Sequence, residues 1–380
     1  LGKKKDCQNR SVVTTPTEIV KYMVDKTLSK VCEGKTPSEI LNISVADIAC
    51  GSGIFLEEAF AYLQDYCVQW YISNGQRNHL IETGIDLYKL PLQEKKDILC
   101  SCIYGIDIDI HAVEVAKFSL LIKLIEDETA PSVAEVVPIL PDLSNNIQFG
   151  NSLVSQAELI GISGANHQVM EIVPFDWSAI NNGCGFDVII GNPPYVNTEG
   201  MHTLLPSAEV EIYKKKYKTS HKQFDKYFIF IEQAINKIKE NGLVCYIVPN
   251  KFFKIGAGEK LRSLIAKERM LVSLDDFGDT QLFEDKTIYS SIILLSKEKQ
   301  TAFVYSSIDS TKKLWAGETI DTVELSSTVL NELPWRLTTD LEFLKMLKKI
   351  RYCRSSNHKT CRYFHRNTDQ CGTETHLLVL

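Results

Sequence analysis

The chain has 380 residues, long enough for one large core and part of a second. With 44% hydrophobic and 24% charged residues it has the balance of a globular protein, and no uninterrupted apolar run approaches the roughly 18 residues of a membrane span. A net charge of −6 does not by itself advertise a nucleic-acid binder, so any such contact must come from local basic clusters.

The N-terminus, Leu1 to Arg10, is basic but leads into Ser11 to Thr17 instead of an apolar stretch, so no signal peptide is read and a cytoplasmic location is expected. The eleven cysteines are an odd, scattered set, mostly inside apolar segments such as Val244-Cys245-Tyr246, which suits a reducing compartment better than a disulfide framework. No metal site is expected. Cys100 and Cys102 lie beside a strand-like run, and Cys353, Cys361 and Cys371 with His358 and His365 lack paired short spacings.

In chain order, Thr14-Thr15-Pro16-Thr17-Glu18 precedes a helical run over Thr17 to Leu28. Thr15 either caps that helix or presents its hydroxyl to a ligand carboxylate. The first strand, Ser44 to Ala49, ends in Asp47-Ile-Ala-Cys-Gly51-Ser-Gly53 before a helix over Phe55 to Trp70. Alternate glycines let backbone approach a ligand closely, and an acid at the strand end can bind an ammonium group. A helical insertion over Gln64 to Cys102 separates this unit from the second strand, Ile103 to Ile108. There Asp107 can accept from both hydroxyls of a ribose, whereas Asp109 reads as the cap of the helix over Ala112 to Glu126. Ala49 and Ile108 border the two acids and join the candidate binding set.

A second insertion, Asp127 to Asn145, leads to the strand Asn146 to Phe149, followed by Gly150-Asn151. The strand Asp187 to Gly191 runs into Asn192-Pro193-Pro194-Tyr195. An aromatic exocyclic amine is a poor nucleophile because its lone pair is delocalised. Two acceptors on its hydrogens, the Asn192 side-chain oxygen and the Pro193 carbonyl, favour a pyramidal nitrogen. The prolines fix the backbone so that the acceptors converge, and Tyr195 supplies a ring on which an extruded base can stack. The competing reading is a proline turn after a strand with a buried tyrosine. Lys214, Lys215, Lys216, Lys218, Lys222 and Lys226, with Tyr213 and Tyr217 between, then form a basic run suited to phosphate contact or simply a solvated face. A second basic stretch spans Lys345 to Arg366.

Helical spacing over Tyr227 to Glu240 stops at Asn241-Gly242 before the strand Leu243 to Val248, and another helix covers Glu259 to Lys267. The last two strands, Leu271 to Asp276 and Ser290 to Ser296, are joined by a link too short for a helical crossover, so they are expected as an antiparallel hairpin at the sheet edge. The fold class is therefore α/β, a seven-stranded, mostly parallel, doubly wound sheet with an antiparallel edge strand. After Gln300 the pattern weakens. The unpatterned segment from Cys353 and the start at Leu1 lead us to expect a piece of a larger protein.

On these residues the chain resembles the class I S-adenosylmethionine-dependent amino-methyltransferases, whose Asn-Pro-Pro-Tyr motif reads as Asn192 to Tyr195 does. More closely, it resembles the methyltransferase region of type IIG restriction-modification enzymes over about Thr14 to Ser296. The less generic words are Ile103-Tyr-Gly-Ile-Asp, Gly150-Asn-Ser-Leu, Phe186-Asp-Val-Ile-Ile-Gly and Ile247-Val-Pro-Asn-Lys. The resemblance implies a site-specific DNA methyltransferase acting on the N6 amine of a flipped adenine in double-stranded DNA, with S-adenosyl-L-methionine as cofactor and direct transfer with inversion. It implies that Thr15, Asp47, Ala49, Gly51, Gly53, Asp107, Ile108 and Asn151 hold the cofactor. Asn151 stands where many relatives carry an aspartate near the cofactor adenine.

By the same resemblance Phe283 packs on the flipped base opposite Tyr195, unless it is a core phenylalanine of the hairpin, and Lys286 sits near DNA. Residues 1–298 would be the catalytic domain and 299–380 a linker with the possible start of a target-recognition region. No nuclease motif is visible, so nuclease and target-recognition domains are expected outside this chain. The alternatives are a protein glutamine methyltransferase, which shares the motif, and an inactive DNA-binding remnant.

Overall fold

Continuous apolar runs bounded by glycine or proline form the centre of a nine-stranded sheet in the computed structural model, which describes residues 14–129, 136–160, 171–283, 286–311, 314 and 318–340. β1 (Val45–Asp47) is the third strand from one edge. β4 (Ile103–Asp107) and then β5 (Ile147–Phe149) are parallel to it on one side, β6 (Phe186–Gly191) and then β7 (Ile238–Pro249) on the other. The chain thus leaves β1 in both directions, and in open α/β sheets the carboxyl strand ends at such a switch point, here those of β1, β4 and β6, are where a ligand crevice forms.

Beyond β7 comes the hairpin of β8 (Leu271–Phe283) and β9 (Lys286–Ser296), with β9 inserted antiparallel between β7 and β8. All seven expected strands are present, but the sheet has nine. β10 (Ala302–Ser307) runs parallel to β8, and β11 (Asp321–Ser326) closes the sheet antiparallel to β10. The hairpin is therefore interior, not the edge. The added strands escaped the sequence reading because they are short and only half-covered: β11 alternates exposed and half-buried positions, a weak signal after a patterned core.

The insertion expected as helical from Gln64 to Cys102 is only partly so. α3 (Ile54–Ser73) and α4 (Leu92–Cys102) flank a small separate hairpin, β2 (Ile81–Gly84) with β3 (Leu87–Lys89). Asn241-Gly242 is not a helix stop either. The helix α9 (Lys226–Lys237) ends earlier, and Gly242 lies within β7 where the register against β6 shifts; a Cβ there would fall 2.8 Å from the Phe186 carbonyl oxygen.

Helices cover both faces. α1 (Thr17–Cys32) buries Ile19, Val20, Met23, Val24 and Leu28. Its polar side is tied to the sheet by Lys26, ion-paired to the buried Asp275 of β8, with Tyr22 donating to the same carboxylate at 3.0 Å. That anchor fixes the start of α1, where Thr15 lies. α5 (Ile110–Ile125) follows β4 and is capped by Asp109, whose carboxylate accepts from the His111 N–H at 2.9 Å, as the sequence leads one to expect. Between β6 and β7 the chain adds α7 (Thr198–Leu204), α8 (Ser207–Lys216) and α9. The described residues up to Arg336 belong to one compact unit; of a second, from Leu337 on, only 337–340 are described. The tail with Cys353, Cys361, Cys371, His358 and His365, the basic stretch from Lys345 to Arg366, the segment Leu1 to Arg10, and the Lys286 side chain lie outside the described residues. Among the described residues no helix is long and apolar enough to cross a membrane.

Candidate functional site

The crevice at the switch point gathers most of the residues singled out from sequence. β1 delivers Asp47, 3% exposed, whose carboxylate accepts from the Ala49 N–H at 3.0 Å. The turn after it needs glycine twice: Gly51 has φ +53° and open space where a Cβ would be, and Gly53 has φ +92° with such a Cβ 3.0 Å from that of Ala116. β4 delivers Asp107, half-buried, accepting from the Gly51 N–H at 2.8 Å and the Asp109 N–H at 2.9 Å. The second strand end therefore clamps the turn after the first. Ile108, next along, is 49% exposed, an apolar face offered at a strand end.

Burial is the main cause that raises both carboxyls above their usual range; it lifts Asp47 to about 7, with the Ala49 N–H pulling down and the Asp107 charge pushing further up. The sign of the consequence follows. The unfolded chain releases this proton near pH 4 and the folded one near 7, so the ligand-free protein loses stability as pH rises from about 4 to about 7, on the order of 4 kcal/mol in all. Asp47→Asn removes the penalty. Urea midpoints should show the variant gaining over the parent at pH 7.5 by a margin absent at pH 4.5; a margin equal at both would refute the assignment. A carboxylate so desolvated gains from any cation placed against it.

β6 ends at Gly191, where a Cβ would stand 2.7 Å from an Asp47 carboxylate oxygen, so only glycine lets the loop after β6 pass this close to the acid. Asn192, Pro193, Pro194 and Tyr195 follow. The Asn192 Nδ2 donates to Thr15 Oγ1 at 3.0 Å, bringing the N-terminal segment and the loop together across 177 residues of sequence. Thr15 is thus not a helix cap; α1 starts behind Pro16 with no side-chain cap. The Tyr195 hydroxyl lies within reach of both Asn192 Oδ1 and the Ile247 carbonyl, the latter at 2.9 Å, and can donate to one at a time. Its ring packs edge-on to Tyr227, and burial beside Asp225 holds its pKa well above the ordinary value.

Asn151 is placed beside this crevice but is already engaged: its Oδ1 accepts from the Leu153 N–H at 3.0 Å and its Nδ2 donates to Glu209 at 3.0 Å and Tyr213 at 3.2 Å. Phe283 is 2% exposed and belongs to the main core cluster, so the structure gives the alternative reading of a hairpin core residue and not a ring open to a base. The basic run also divides. Tyr213, Tyr217 and Lys226 are buried, so the tyrosines are not stacking platforms; Lys214, Lys215, Lys218 and Lys222 are exposed, and Lys216 pairs with Glu158. Sequence reasoning missed Glu209, Asp225, Gln233 and Lys251. They are ordinary polar residues on helices, and only the fold shows Lys251 paired to the buried Asp225 at 2.8 Å and Gln233 donating to the Ser152 carbonyl at 2.8 Å.

Comparison with known proteins agrees with this geometry. Residues 101–283 match the family described as Eco57I restriction-modification methylase. The chain is 44% identical over 325 residues to the Type II restriction enzyme and methyltransferase RM.Eco57I of Escherichia coli, an alignment covering 86% of this chain and 31% of the relative. It is 33% identical over 114 residues to the Type II methyltransferase M.PaeR7I of Pseudomonas aeruginosa, covering 30% of this chain and 19% of that protein. The chain thus spans less than a third of the length of either relative. Among solved structures, the cryoEM structure of a DrdV–DNA complex superposes with a TM-score of 0.56 at 15% identity, covering 85% of this chain and 31% of that one, a likeness of fold.

Proposed function

The chain carries an Eco57I-type restriction-modification methylase domain, and on that premise we propose that it transfers a methyl group from S-adenosylmethionine to the N6 amine of an adenine flipped out of double-stranded DNA. The observation that carries this reading is Asn192, held by Thr15 on one side and facing the Tyr195 hydroxyl on the other, at the mouth of a crevice lined by the buried Asp47 and the half-buried Asp107. The residues present suit the cofactor. Asp47 faces the need for a cation and would take the ammonium group, Asp107 would accept from the ribose hydroxyls, and Ile108 would pack on the adenine. Gly51 and Gly53 leave the room between, beside Ala49, and Thr15 lies where a carboxylate would end. Asn151 keeps one free lone pair on Oδ1 for the adenine amine.

S-adenosylmethionine supplies an electrophilic methyl on a sulfonium. The chain supplies geometry. Asn192 Oδ1 and the Pro193 carbonyl accept the two N6 hydrogens, which localises the nitrogen lone pair towards the methyl. When the amine arrives, the Tyr195 hydroxyl can turn its hydrogen to the Ile247 carbonyl and leave Asn192 Oδ1 to the substrate. The Tyr195 ring offers a face for the base, and the exposed lysines of α8 and its following loop offer phosphate contacts. In this reading the catalytic domain is the part through about residue 298, the segment beyond leads towards target recognition, and a nuclease and recognition domain complete a restriction-modification or phage-defence enzyme.

The test is direct. With labelled S-adenosylmethionine and unmethylated duplex DNA, nucleoside analysis should find label in N6-methyldeoxyadenosine; label in a methylated cytosine, or only in protein, would refute the proposal.

A further inference from the structure

A lysine that is mostly buried, with its ammonium still touching solvent, stands beside this crevice. Lys226 opens α9, and its backbone N–H donates to the Val196 carbonyl at 2.8 Å, which roots it directly behind Tyr195. The residue is 8% exposed. Its ammonium lies 5.6 Å from the centre of the Tyr213 ring, and among the described residues no carboxylate is within ion-pair distance and no acceptor within hydrogen-bond distance of it. Holding an ammonium largely out of water with no protein acceptor beside it costs part of its hydration, which a ligand acceptor at the solvent-facing side would restore. The ring face is a weak substitute.

The surroundings say what is missing. Tyr213 donates to Glu209, which also accepts from Asn151 at 3.0 Å, so the nearest acid already serves two donors. Gly150, preceding Asn151, donates its N–H to the Asp107 carbonyl at 2.8 Å, which joins this cluster to the end of β4. Burial lowers the Lys226 pKa while the charges of Glu209 and then Asp107 hold it up. The lysine therefore sits at the Asp107 end.

We propose that the Lys226 ammonium is a cofactor-binding group that donates to an acceptor on the nucleoside half of S-adenosylmethionine, a ring nitrogen or a ribose oxygen. This rests on the cofactor reading above and adds a residue to it. The ammonium reaches its ligand from the helix behind the catalytic loop, so nucleoside binding and loop position are linked through one side chain. The same group costs stability when no ligand is bound.

Lys226→Met keeps the length and apolar stem and removes the charge. Calorimetry on parent and variant with S-adenosylmethionine, S-adenosylhomocysteine and methylthioadenosine should show all three weakened by a similar factor, about tenfold to a hundredfold for one hydrogen bond from a charged donor. The unliganded variant should melt no lower than the parent, and its stabilisation by saturating S-adenosylhomocysteine should be smaller. Unchanged affinities overturn the inference and leave the cofactor reading standing. A loss confined to the ligands carrying the methionine half overturns the nucleoside assignment, and a drop in the unliganded melting temperature with ligand affinity kept would make Lys226 a structural residue. A parent that binds none of the three overturns the cofactor reading itself.

Discussion

Asn192→Ala is expected to lower methyl transfer to DNA by about 10²-fold or more, the usual cost of losing an oriented group that acts on charge developing in the transition state. Affinity for S-adenosylhomocysteine should fall much less, because the side chain bears on the cofactor end only through Thr15. The orientation is what makes the variant informative. With Nδ2 on Thr15, Oδ1, which meets the Tyr195 hydroxyl, is the acceptor a substrate amine would take over, and alanine removes it without touching the glycine turn. Thr15→Val separates the two roles of the amide: it leaves Oδ1 in place but unties the other end, so it should cost less than Asn192→Ala while moving in the same direction. Transfer of labelled methyl to an adenine-containing duplex, read beside calorimetry, checks both. Parent-like transfer by Asn192→Ala would remove Asn192 from the chemistry.

The core strands themselves were legible because each is a short apolar run closed by a residue with a mechanical reason to be there: Gly51 after β1, Asp107 at the end of β4, Gly191 before the prolines. Burial on both faces leaves little alternation to misread. What failed to show was structure whose signal is tertiary. β11 is half-exposed and reads as a loop until β10 is beside it. The hairpin of β2 and β3 carries no apolar face at all, with Ile85 and Leu87 exposed, so nothing in its sequence separates it from the helices around it.

The site divides along the same line. Asp47, Asp107 and Asn192 were singled out because they lie at or just after strand ends, and the fold brings the three strand ends side by side. Phe283 was weighed both ways, since an aromatic on a hairpin looks alike in sequence whether it faces a cleft or the core; the fold buries it. The basic run misled for a related reason. Its lysines follow one another in sequence, but Tyr213, Tyr217 and Lys226 turn inward, Tyr213 onto Glu209 of the same helix, and only the exposed lysines between them are left for phosphate. Thr15 could not be resolved from a cap until the Asn192 bond was seen.

Asp107→Ala is expected to weaken S-adenosylmethionine and S-adenosylhomocysteine together by about 10²- to 10⁴-fold, since hydrogen bonds to a charged acceptor contribute roughly 1.5–3 kcal/mol each and the proposed ribose contact uses two. The structure adds a second route to the same loss. Asp107 accepts from the Gly51 and Asp109 N–H groups, so alanine leaves two backbone donors without their acceptor, one of them in the turn that must leave room for the cofactor. Asp107→Asn separates the routes. Its oxygen can keep one backbone bond and accept one hydroxyl, but the amide nitrogen meets a donor wherever the other carboxylate oxygen had met one, so an affinity between parent and alanine is expected. Both ligands must fall alike, because the ribose is the same in each and the methyl is remote from it. An Asp107→Ala protein that bound S-adenosylhomocysteine as tightly as the parent would mean that the carboxylate holds only the turn, and the nucleoside end of the crevice would have to be assigned anew.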